Sequence, residues 1–247
     1  MTTNVREHRW LSWGATATGP GHRRMGLPNQ DAWAVRHYNS GVVVAVSDGL
    51  GSCTHADVGS LAACRAVAEA TKLHFRYSPA DMTGMPALVQ HLWKMMLLGH
   101  SPSESSATCL FVAMRYGANA LLAQLGDGLV AACRRDGGID LLMPDKADSF
   151  ANLTVGLGSS QAAAGWRTLS VHEERYRAFV LCTDGVSDDL VPDAVGEFAW
   201  GVFEHYRRHS GRERSRDLHR WLNAWPVPGH SDDKTIACIF RSEDAHA

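Results

Sequence analysis

The stretch Ser106–Leu142, SATCLFVAMRYGANALLAQLGDGLVAACRRDGGIDLL, decides the fold class. Its apolar runs are short and are broken at Tyr116-Gly117, Gly126-Asp127-Gly128 and Gly137-Gly138. Glycine pairs and Asp-Gly steps of this kind are turn signals, so the block reads as four short strands joined by hairpins. Tight turns join antiparallel strands, because a parallel pair needs a crossover of a dozen or more residues. An antiparallel sheet is therefore expected.

Working outward, Trp10 to Ser47 forms a second β-rich block, in which Val42–Gly49, VVVAVSDG, reads as a buried strand ending in a turn. A helix is predicted over Ala56–Tyr77, with Val58, Leu61, Ala62, Ala66, Ala70, Leu73 and Tyr77 on its inward side. Its many alanines predict close approach to a sheet. A second helix is predicted over Ala87–Leu98. Downstream come a strand over Ala178–Thr183, helices over Asp193–His209 and Ser215–Ala224, and a last strand over Thr235–Arg241. Strands grouped with strands and helices with helices give a layered α+β class, and no segment resembles a linker, so residues 1–247 read as one domain.

Composition narrows the function classes. Hydrophobic residues make up 45% and charged residues 20% of 247, which excludes a disordered chain. A formal charge of −2 gives no general attraction to nucleic acid. No apolar run reaches the roughly 18–20 residues of a membrane span. The N-terminal segment lacks the pattern of a secretory signal, so a cytoplasmic protein without membrane partners is expected. The cysteines never occur as C-x-x-C and read as buried, reduced thiols. The charged segment Arg207–Arg220 reads as a solvated helix end.

Four aspartate sites share one local design, an apolar strand meeting an aspartate turn. They are Ser47-Asp48-Gly49, Gly126-Asp127-Gly128, Thr183-Asp184-Gly185 and Ser231-Asp232-Asp233. One aspartate in a turn is ordinary, since its side chain satisfies nearby N–H groups. Four at strand ends are a different matter. Gathered carboxylates repel one another unless a cation neutralises them, and hard oxygen donors select magnesium or manganese over zinc.

The ordered set Asn29-Gln30-Asp31, Ser47-Asp48-Gly49-Leu50-Gly51-Ser52, Gly126-Asp127-Gly128, Thr183-Asp184-Gly185-Val186-Ser187-Asp188 and Asp232-Asp233-Lys234-Thr235 resembles the protein phosphatase 2C family of metal-dependent serine/threonine phosphatases, in a divergent bacterial branch. Asn152–Gly158 resembles that family's threonine–leucine–glycine segment. The resemblance implies a four-layer αββα sandwich, two antiparallel sheets flanked by helices, with two divalent cations, Mn2+ or Mg2+, in a cleft at one end. It implies that Asp48 bridges the ions with the Gly49 carbonyl on one of them, and that Asp184 and Asp232 ligate the other. Asp31 would hold metal-bound water, and Asp127 and Asp188 would flank a possible third ion. Asp233 would support the site. The implied reaction is hydrolysis of phosphoserine or phosphothreonine in a phosphoprotein, a serine/threonine kinase or its target.

Three departures stand out. Gly26 occupies the place of an arginine that grips substrate phosphate in many members, which leaves His22, Arg23 and Arg24 as substitutes, His22 first. Gln30 replaces an acidic residue. Leu50 replaces a histidine that some members use as general acid. These losses motivate a second expectation, a weak or inactive scaffold that binds a signalling partner. A third is a metallohydrolase for a small phosphate ester.

Overall fold

Val42 to Val46 show how the sandwich is assembled. In a strand, successive side chains point to opposite faces. Val42, Val44 and Val46 pack in one cluster with Leu110, Phe179, Leu181 and Ile239, whereas Val43 and Ala45 join Ala63, Ala66 and Val67 in another. This strand is apolar on both faces because both faces are covered.

The structure, a computed structural model, describes residues 10–77, 81–143 and 154–242. One sheet has the order β2-β3-β4-β5-β8, with β2 at Asp31–Tyr38, β3 at Gly41–Asp48, β4 at Cys109–Arg115, β5 at Asn119–Leu125 and β8 at Arg167–His172. The other has the order β1-β10-β9-β6-β7, with β1 at Trp10–Ala17, β6 at Leu129–Arg134, β7 at Ile139–Leu142, β9 at Tyr176–Cys182 and β10 at Lys234–Arg241. Every pairing is antiparallel. Helices α2 (Ala56–Tyr77) and α3 (Met85–Met96) cover the first sheet, and α5 (Val195–Tyr206) and α6 (Gly211–Asn223) cover the second. The α+β class and the two-sheet αββα sandwich are thus observed. Each large apolar side chain buried in these layers contributes about 1.5–3 kcal/mol.

Four expectations are corrected. Gly126-Asp127-Gly128 is not a hairpin: β5 pairs with β4 and β8, while β6 pairs with β7 and β9, so the turn carries the chain between sheets. Gly126 (φ 88°) and Gly128 (φ 105°) supply the left-handed backbone that this crossing requires. On α2, Leu61, Leu73 and Tyr77 are exposed rather than inward. The buried face is the narrow one of Gly59, Ala62, Ala63, Ala66, Val67 and Ala70, and a Cβ on Gly59 would fall 1.8 Å from the Ser105 carbonyl oxygen. Third, Arg207 and Arg214 within the charged segment are buried, Arg214 donating to the carbonyls of Tyr206 and His209. Helix α6 begins at Gly211 because Ser210 and Glu213 cap each other's backbone. Fourth, the edge strand β8 and the short helix α1 (Pro20–Met25) appear where none was predicted.

All six cysteines are free, five of them buried. Among the described residues no helix is long and apolar enough to cross a membrane. At one pole of the sandwich, Arg241 pairs with Glu173, both buried, and its guanidinium lies 4.9 Å from the Trp10 ring centre. The opposite pole gathers the end of β3, the β5–β6 turn, the end of β9 and the starts of β2 and β10, as the partners Asp31↔Asp48, Ala17↔Lys234 and Leu129↔Cys182 require.

Candidate metal centre

Asp31 and Asp48 occupy opposed register positions on β2 and β3, near enough that the charge of Asp31 acts on the Asp48 carboxyl. Asp48 ends its strand because Gly49 must turn: a Cβ there would lie 2.3 Å from the Ala56 carbonyl oxygen at the start of α2. Thr108 anchors the turn, its Oγ1 accepting from the Asp48 N–H at 2.9 Å. From the other sheet, Asp184 opens the single-turn helix α4 (Asp184–Ser187) directly after β9. Asp232 precedes β10, and its Oδ1 accepts from the Asp233 N–H at 2.8 Å. Gly185 packs against this turn, since a Cβ on it would meet the Asp233 carbonyl oxygen at 1.9 Å.

Thr183 knits the two sheets together. Its Oγ1 donates to Asp31 Oδ2 at 2.7 Å and accepts from the Thr235 N–H at 3.1 Å. Asp127, between its two glycines, accepts from Thr154 Oγ1 at 2.7 Å, and the buried Gln124 amide holds the Gly126 and Gly128 carbonyls. Thr154–Gly158 therefore does lie beside this pole, with the Leu157 N–H bonded to the Ala107 carbonyl. Asn152 and Leu153 of the same expected motif fall outside the described residues.

The aspartates act on one another electrically. Burial first, then the charges of Asp31, Asp184 and Asp232, pushes the Asp48 carboxyl well above the usual range. Asp184 is raised to about 8 by burial, with Asp127, Asp232, Asp31 and Asp188 adding to the shift. Asp31 is raised to about 7, chiefly by burial. Asp31 Oδ1 and Asp127 Oδ1 are buried with no hydrogen-bond partner. Oxygen donors in mutual repulsion, two with unspent lone pairs, fit a hard divalent cation. As the side chains stand, no three His, Cys, Asp or Glu groups among the described residues form a finished coordination cage. The carboxylates are gathered but not closed around a point.

A cleft of about 200 Å³ opens beside them, lined by Asp184, Asp188, Asp232, His230 and Lys234. Lys234 and His230 escaped the sequence reading, although Lys234 directly follows the Asp232-Asp233 pair. The Lys234 ammonium donates to the Asp232 carbonyl at 2.9 Å, and burial lowers its pKa. His230 Nδ1 is buried without a partner. Thr183, Thr108 and Thr235 were also missed as site residues, because a hydroxyl in a strand gives no local sign of what it will meet. Of the expected phosphate-gripping residues, His22 reaches the pole through Asp233, with Nδ1 and Oδ2 2.9 Å apart. Arg23 instead donates to Asn223 on α6 at 2.8 Å, and Arg24 is exposed on α1. Larger hollows lie elsewhere, one of about 820 Å³ bounded by Trp10, His37 and Arg208, and one of about 570 Å³ between α5 and α6. Neither touches the carboxylates.

A profile of the family described as protein phosphatase 2C matches residues 18–223. The chain belongs to the protein phosphatase 2C family. A sequence search of curated proteins gives no match. Among solved structures, the fold resembles RsbX in complex with magnesium, with a TM-score of 0.59 and 17% identity over 96% of this chain and 97% of that one. It also resembles the serine/threonine phosphatase Stp1 from Staphylococcus aureus, with a TM-score of 0.62 and 13% identity over 94% and 95%. A C. elegans sex determining protein matches with a TM-score of 0.66 and 16% identity, over 95% of this chain and 66% of that one.

Proposed function

We propose that this phosphatase 2C family member is a cytoplasmic, single-domain enzyme that hydrolyses phosphoserine and phosphothreonine in a phosphoprotein, a serine/threonine kinase or one of its targets. The observation that carries the reading is the convergence of Asp31 and Asp48 from one sheet with Asp184 and Asp232 from the other, each raising or feeling the charge of the rest. Asp48 and the Gly49 carbonyl would hold one divalent cation, Mn2+ or Mg2+, and Asp48, Asp184 and Asp232 a second. Asp127 and Asp188 would serve a third. When bound, such a pair lowers the pKa of a shared water and screens the phosphate dianion. Asp31, fixed by Thr183, would hold and orient metal-bound water. Asp233 keeps the loops before β2 and β10 in place, through the Gly19 and Gln30 amides at 2.6 Å each. Supporting the metal assignment, RsbX was solved with magnesium.

The test is manganese-dependent release of phosphate from a phosphothreonine peptide by wild type, Asp48→Asn and Asp184→Asn. Turnover confined to wild type supports the reading. Equal rates in all three discard it. A second reading, a partner-binding scaffold with little turnover, is favoured by Leu50 and Gly26 at places where other members carry histidine and arginine. It predicts manganese binding by calorimetry without phosphate release. A wild type that prefers small phosphate esters over phosphopeptides points to a small-molecule metallohydrolase instead.

A further inference from the structure

Asp233 is buried, with no side-chain exposure, and accepts three N–H donors: Gly19 and Gln30 at 2.6 Å each and His22 Nδ1 at 2.9 Å. His22 keeps 14% of its side chain exposed. With Nδ1 committed to a carboxylate, Nε2 is the ring nitrogen left to meet a ligand. The ring's place is equally fixed. The Gly21 N–H donates to the Ser231 carbonyl at 2.8 Å, and a Cβ on Gly19 would lie 2.3 Å from the Asp232 carbonyl oxygen. The first turn of α1 is therefore pressed against the backbone of Asp232. The atom that holds His22 also holds the amide of Gln30, next to Asp31. A histidine anchored in this way sits at the rim of the carboxylate cluster, while His230 has no partner for its buried nitrogen and Lys234 spends its ammonium on the Asp232 carbonyl.

We propose that His22 is the proton donor to the leaving serine or threonine oxygen, and that Asp233 is the positioning residue that fixes its ring. The inference rests on the phosphatase reading above. As the oxygen of water bonds to phosphorus, the phosphorus–ester oxygen bond breaks and its electron pair stays on the ester oxygen. That oxygen takes the proton from Nε2 and leaves as the alcohol. The ring is then neutral, its remaining proton on Nδ1 and hydrogen-bonded to Asp233, and Nε2 regains a proton through solvent from the attacking water. One water is consumed, and one alcohol and one inorganic phosphate are formed.

The experiment compares wild type and His22→Gln, with manganese, on a phosphothreonine peptide and on p-nitrophenyl phosphate. An alkoxide needs a proton to leave, whereas p-nitrophenolate does not. His22→Gln is expected to lose about 100-fold in kcat on the peptide and less than about threefold on p-nitrophenyl phosphate. Both rates are read on the same sample, so any loss of folded protein scales them together and leaves their ratio intact. Equal losses on the two substrates, or a rise in KM alone, overturn the proton-donor role in favour of a phosphate contact or a structural one. No loss on either also overturns it. Wild type inert towards both substrates overturns the phosphatase reading and this proposal with it.

Discussion

Asp31 and Asp48 face each other directly across the β2–β3 pair. Like charges at opposed positions destabilise an antiparallel pair, and burial sharpens the conflict because little water is present to screen it. Protons or cations can relieve it. The sandwich thus carries, at the pole where Thr183 joins its two sheets, a local instability that the rest of the fold must sustain.

Removing one charge should therefore stabilise the metal-free protein. Asp48→Asn is expected to raise its unfolding free energy by about 1 kcal/mol, while abolishing metal-dependent activity. Chemical denaturation in a chelator checks this. A loss of stability would show that Asp48 is held by donors rather than strained by its neighbours.

Stability of the metal-free protein should fall as pH rises. Asp31 and Asp184 are raised to about 7 and about 8 from an ordinary 3.8, so above about pH 4 the folded form holds protons that the unfolded chain has released. Their contribution is complete below 3.8 and is lost as pH climbs through 7 and 8. Manganese competes with those protons, so the rise in Tm on adding it should be larger near pH 8.5 than near about pH 5.5. Melting curves across that range, with and without the ion, test both halves. A chelated protein whose melting point is flat or rising there contradicts the assignment.

Two glycine-to-alanine variants should move in opposite directions. Gly185→Ala drives a methyl into the Asp233 carbonyl and is expected to lose about 2 kcal/mol together with activity. Gly201, inside α5, has nothing within 4 Å of an added Cβ, and Gly201→Ala should gain about 0.5–1 kcal/mol with activity unchanged. Urea titrations of the pair decide.

Glu173→Ala removes a buried carboxylate that pairs with Arg241 and accepts from the Gly117 N–H at 3.0 Å. Breaking a buried ion pair costs about 3–5 kcal/mol. The midpoint of unfolding should drop accordingly, with kcat per folded molecule preserved, because this pair lies at the pole away from the aspartates. A matching fall in kcat would mean that the two poles are coupled.

The parts of the fold legible in the sequence are those fixed by local pattern. Helix α2 spans Ala56–Tyr77 as its spacing predicted, and β10 was placed to within a residue. What the helix buries was less legible: alanines and a glycine that permit close approach outweigh Leu61 and Leu73, whose bulk would hold the sheet away. Gly126-Asp127-Gly128 announced a turn but not its destination, because a local signal cannot say which sheet the next strand joins. For the candidate site, the aspartates were readable since each sits at or next to a strand end, with glycine following Asp48, Asp127 and Asp184. His230, Lys234 and the threonines were not, for their meaning depends on contacts with distant segments, as when Thr183 meets Asp31.

Because Asp31 and Asp48 lie on strands of one sheet while Asp184 and Asp232 flank strands of the other, the candidate site would come into being only when the two halves dock in correct alignment. Half-assembled forms would hold no working centre. An ion shared across the seam would act as a rivet between layers, so turnover would double as a gauge of whether the sandwich has closed.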